Sequence, residues 1–112
     1  MDIHDYQRLA ARTLIDRPGF DIPDQDLMTI WNAIGLAGEA GEVADLVKKG
    51  IFHRHGLDMR KIQDELGDVI WYVAAMCTTL GFDLGMIMQT NIEKLKVRYP
   101  EGYSSHASIN RK

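Results

Sequence analysis

The chain carries two apolar stripes at helical spacing, and each is interrupted by a glutamate. Leu36, Glu39, Val43 and Leu46 recur at steps of three and four residues, as do Ile62, Glu65, Val69, Tyr72 and Met76. That spacing places each set on one face of a helix, with a carboxylate where a core residue would stand. The local sequences also match: EAGEVADLV (39–47) and ELGDVIWYV (65–73) share an acid, a glycine, a second acid and two valines in the same order. Residues three apart on a helix have Cβ atoms about 5 to 6 Å from each other, so Glu42 lies beside Glu39 and Asp68 beside Glu65. Two helices with such faces must bury them against each other, and the acids then meet at the seam.

Nothing in the rest of the chain suggests a sheet, because no alternating apolar-polar segment of useful length occurs. Turn-forming clusters at DRPGFDIPD (16–24), HRHGLD (53–58), LGFD (80–83) and YPEG (99–102) divide it into four helical segments. The first is expected over about 2–15 behind an Asp2 cap. The second starts at Asp24 or Asp26, either of which can cap it, and ends at Lys48-Lys49-Gly50, where glycine permits a left-handed exit. The third spans about 58–79. The fourth follows an Asp83 cap and stops near Tyr99, ahead of Pro100. The fold class is therefore all-α, a four-helix bundle in one domain (1–103) with a loose polar tail (104–112). The second and third helices are apolar around much of their circumference, which points to a dimer or larger assembly.

Composition removes several functions. With 13 basic against 16 acidic residues the net charge is −3, so the broad basic surface that a nucleic-acid polymer requires is absent. No run of about 18 apolar residues is available to span a membrane, and the N-terminus lacks a signal-peptide pattern, so a cytoplasmic location is expected. The lone Cys77 cannot form a disulfide framework and reads as a buried thiol.

The paired acids demand a partner. Two carboxylates about 5 Å apart at an effective dielectric of about 20 repel by about 3 kcal/mol, while a whole domain is stable by only about 5 to 15 kcal/mol. Acid pairs facing each other across a seam must hold protons or bind a cation. Neither nine-residue stretch contains Arg or Lys, and all-oxygen ligands favour Mg²⁺, Mn²⁺ or Ca²⁺ over Zn²⁺. Gly38, Gly41 and Gly67 each weaken a helix, which close approach of a backbone or ligand, or tight helix packing, would explain. On the fourth helix Leu84, Ile87, Met88, Asn91 and Leu95 form one face, with Lys94 and Arg98 along its edge. These cations can hold phosphate oxygens, Arg98 as a fork and Lys94 as a point charge, or simply answer the helix dipole.

Together GLAGEAGEVADLVKKG, ELGDVIWYV and NIEKLKVRYPEGY resemble the MazG-like nucleoside triphosphate pyrophosphohydrolases of the all-α NTP pyrophosphatase superfamily, over about 6–103. The signature is an ExxE pair followed by ExxD, matched by Glu39, Glu42, Glu65 and Asp68. The resemblance implies Mg²⁺-dependent cleavage of a nucleoside triphosphate between its α and β phosphates, with Mn²⁺ as a substitute ion. The four acids would bind metal, with Glu39 or Glu42 helping to deprotonate water. Asn91, Lys94 and Arg98 would contact phosphate or ribose, and Trp31 and Tyr72 are candidates for the base pocket, with core packing the rival role. It also implies a homodimer or homotetramer with active sites near the subunit interface. A base-specific relative acting on dUTP, dCTP or phosphoribosyl-ATP, or a non-catalytic metal- or nucleotide-binding regulator, are the alternative readings.

Overall fold

A computed structural model describes residues 1–14, 23–54 and 56–109; Ile15, most of the first turn cluster, His55 and residues 110–112 lie outside the described residues. Four long helices, α1 (Ile3–Ala11), α2 (Asp24–Phe52), α3 (Met59–Leu80) and α4 (Leu84–Arg98), precede a one-turn helix α5 (Ser105–Ile109). Among the described residues there is no strand, only one bridge between Pro100 and Gly102. Helix α5 lies in the stretch expected to be a loose tail.

The expected caps form at Asp2 and Asp83, and Asp58 caps α3 in the same way. The Asp2, Asp58 and Asp83 side chains accept from the backbone N–H of Asp5, Lys61 and Met86 at 2.8, 3.1 and 3.3 Å, satisfying donors that a helix start leaves unpaired. At α2 the expectation is corrected. Pro23 occupies the cap position with no side-chain bond, and Asp24 and Asp26 fall inside the first turn, where their charge meets the positive end of the dipole.

The end of α2 also differs. Gly50 is buried within the helix, because a Cβ there would stand 2.9 Å from the Gly56 carbonyl oxygen and from Leu57 Cδ2. Its carbonyl accepts from the Gly56 N–H at 3.0 Å. The left-handed residues come later, at Arg54 (φ 58°) and Gly56 (φ 74°), so Gly50 serves close packing and the exit is delayed. Helix α3 ends as a Schellman turn: Gly81 has φ 76°, and the Phe82 N–H reaches the Cys77 carbonyl at 2.7 Å.

Helices α2 and α3 form an antiparallel hairpin, the most extensive helix contact among the described residues, while α1 packs on α3 and α4. The small core gathers Ala10, Ala74, Cys77 and Leu84 beneath Tyr6, Trp71 and Val73. Cys77 is free and buried, as expected. Gln7 locks the corner between α3 and α4. Its amide donates to the Phe82 carbonyl at 3.0 Å and to Thr78 Oγ1 at 3.4 Å, and its Oε1 accepts from the Leu84 N–H at 3.0 Å.

From that corner α4 departs at 108° to α3. Its expected apolar face is therefore covered only at its start: Leu84 is buried, but Ile87, Met88 and Leu95 are exposed, and beyond that face Ile92 is exposed and Val97 is 79% exposed. The accessible surface is 8597 Å², against about 6,200 Å² expected for a compact protein of this mass. No single helix among the described residues is long and apolar enough to cross a membrane.

Candidate metal centre

Successive levels of the α2–α3 seam bring chemically different pairs together. Near the open end, Asn32 Nδ2 donates to Thr79 Oγ1 at 3.0 Å. One turn further along α2, the Tyr72 ring lies against Gly35. The next turn carries Glu39, opposite Glu65 and Asp68, and each of these three contributes a carboxylate oxygen within 4.8 Å of the others. The spacing of three residues between Glu65 and Asp68 puts both on one face of α3, and the hairpin supplies Glu39 from across the seam.

This arrangement is electrostatically uncomfortable without a cation. Oε2 of Glu65 is shut away from solvent and receives no hydrogen bond. Ion pairs among the described residues go to Asp5, Asp45 and Asp83, and none reaches Glu39, Glu42, Glu65 or Asp68. The Glu65 carboxyl is pushed up from 4.5 to about 7. The largest cause is the hydrogen bond with Glu39 that a proton on Glu65 allows; desolvation and the charges of Glu39, Asp68 and Asp64 add to it. An all-oxygen donor set with an orphaned buried oxygen fits a hard divalent cation, which would replace that proton.

The other expected residues stand apart from this group. Glu42 is exposed and is not one of the three converging carboxylates. The Lys49 ammonium is raised first by its 2.8 Å bond to Asp45, and least by the charge of Glu42. Trp31 is 43% exposed on α2. Tyr72 is half-buried, edge-on to Trp71 with ring centroids 5.0 Å apart. Asn91 and Lys94 are exposed on α4, and Arg98 is half-buried with its Nε buried and unpartnered. Since α4 packs against α1 and has no extensive contact with α2, the hairpin acids and the α4 cations belong to different packing units of one protomer.

Two seam residues escaped the sequence reading. Asn32 is fully buried, with Oδ1 unpartnered, and Gly35 is pressed by the Tyr72 ring, whereas Gly38, Gly41 and Gly67 meet nothing within 4 Å. Both lie on the same helical stripe as Leu36 and Glu39, so extending that stripe toward the N-terminus would have found them.

Residues 31–103 match the family described as MazG nucleotide pyrophosphohydrolase domain. The chain belongs to the MazG family. The MazG match covers both acidic stretches and the whole of α3 and α4. Over 115 residues the chain is 36% identical to the "Gene 37 protein" of Mycobacterium phage L5, with 99% of this chain and 100% of that protein covered. No solved structure matches. Membership implies a nucleotide substrate and nucleotide pyrophosphohydrolase activity.

Proposed function

We propose that this MazG protein hydrolyses (deoxy)nucleoside triphosphates between the α and β phosphates, releasing a nucleoside monophosphate and pyrophosphate, in nucleotide-pool control. The observation that carries the reading is the convergence of Glu39, Glu65 and Asp68, to which no ion pair among the described residues runs. These residues would hold Mg²⁺, with Mn²⁺ as a substitute, and Glu42 borders them. When bound, the dication supplies charge neutralisation for the polyphosphate and a more acidic water. Glu39 and Glu42 are the candidate bases, and the exposed Glu42, one helical turn from Glu39, is the better placed to accept a proton from the attacking water.

Lys94 and Arg98 would bind phosphate oxygens, the buried Nε of Arg98 gaining the acceptor it lacks, and Asn91 would orient the sugar. Trp31 offers an exposed indole for the base, and Tyr72 is the second candidate. The test is a panel of canonical and modified nucleoside triphosphates with Mg²⁺. Pyrophosphate is the expected product, and orthophosphate as the first product would rule out α–β cleavage.

Assembly as a homodimer or homotetramer belongs to the same reading. The uncovered face of α4 and the excess surface call for a second copy, which would also let the α4 cations reach the acids of a neighbouring hairpin. Light scattering on the eluting protein should give at least twice the chain mass of 12.7 kDa. A monomer at micromolar concentration would overturn this assembly.

A further inference from the structure

We propose that the contact between Gly35 and the Tyr72 ring sets the separation of the α2 and α3 carboxylates, and so determines which size of divalent cation the cluster accepts. This deepens the metal reading above and rests on it. Gly35 lies one turn before Glu39 on α2, and Tyr72 lies one turn after Asp68 on α3, so this level adjoins the acids. A Cβ on Gly35 would collide with Cε1 and Cζ of the ring and lie 2.8 Å from its Cδ1. The ring thus fills the space that a side chain at position 35 would need.

On one side the ring is flanked by a neighbour that is itself tied down. Trp71 stands edge-on to it at 87°, and the Trp71 indole N–H donates to Thr13 Oγ1 at 2.9 Å. An added methyl would push against the ring, and the mutual repulsion of Glu39, Glu65 and Asp68 favours taking up that push by separating α2 from α3. Mg²⁺ demands near-ideal octahedral geometry at about 2.0 to 2.1 Å, whereas Ca²⁺ accepts irregular shells at about 2.3 to 2.6 Å. A cluster opened by a few tenths of an ångström loses the smaller ion first. Gly35 and Tyr72 touch no metal in this arrangement; they are positioning residues.

Mn²⁺ binding followed by electron paramagnetic resonance, with Mg²⁺ and Ca²⁺ as competitors and no nucleotide, separates spacing from general damage. In Gly35→Ala, Mn²⁺ and Mg²⁺ should bind at least about tenfold more weakly while Ca²⁺ changes less than about threefold. Tyr72→Phe, which keeps the ring, should match the native chain, and Gly35→Ala combined with Tyr72→Leu should recover most of the lost Mg²⁺ preference. An unchanged Mg²⁺:Ca²⁺ ratio in Gly35→Ala, or no recovery in the double variant, overturns the spacing role. Should Gly35→Ala not fold, Tyr72→Leu alone carries the test: a shifted ratio supports the spacer and an unchanged one overturns it. A native chain that binds no Mn²⁺ would instead remove the metal centre itself, and with it this inference.

Discussion

Glu65→Gln is expected to lower nucleoside triphosphate turnover by roughly a hundred- to a thousandfold, while leaving the metal-free protein at least as stable as the native one. The size of the loss follows from removing a charged ligand where charge develops in the transition state, a kind of change that typically costs about 10² to 10³ in rate. The stability effect has the opposite sign because Glu65 is in conflict with its surroundings. Its carboxyl faces those of Glu39 and Asp68, and its Oε2 is buried without a partner. The amide removes that repulsion at nearly constant volume and gives Glu39 a donor. Most inactivating changes in a core weaken the fold, so loss of activity with an unchanged or higher melting temperature is diagnostic. Asp64→Asn is the control: Asp64 adds to the Glu65 shift only through its charge and is exposed, so its turnover should stay within a few-fold of native. Pyrophosphate release and thermal melting followed by circular dichroism report both quantities. More than a tenth of native turnover in Glu65→Gln would defeat the role assigned to this residue.

Metal affinity should rise with pH and level off near neutrality. A carboxyl pushed up to about 7 in the folded chain favours its protonated form. Its contribution to stability is complete below the unfolded value of 4.5 and is lost as pH rises through about 7. The metal-free protein should therefore melt lower at about pH 8 than at about pH 5.5, and Glu65→Gln should flatten that slope. A cation must displace the Glu65 proton, so Mg²⁺ affinity should climb by up to about tenfold per pH unit below neutrality. Saturating Mg²⁺ should consequently raise the melting temperature more at the higher pH. Calorimetric titrations in buffers of different ionisation enthalpy count the protons released, with about one expected near pH 6 and almost none near pH 8.5. Mg²⁺ affinity that is flat across this range would mean that Glu65 is already ionised or is no ligand.

The sequence by itself determined the helical segments, two of their caps and the pairing of acids on two helix faces. All of these depend on residues within a turn or two of one another, and periodicity or an N-cap aspartate reports such relations directly. It also carried the family resemblance, since the motifs are local. Tertiary structure alone decided that Gly35, not Gly38, Gly41 or Gly67, is pressed by a neighbour, that Gly50 stays helical under Leu57, and that Glu39 joins Glu65 and Asp68 while Glu42 stays outside that group. It likewise decided that α4 leaves the hairpin at 108° with its apolar face uncovered. These outcomes rest on contacts between residues far apart in the chain, and the crossing angle and register of two helices come from the fit of whole surfaces, which no short stretch of sequence specifies.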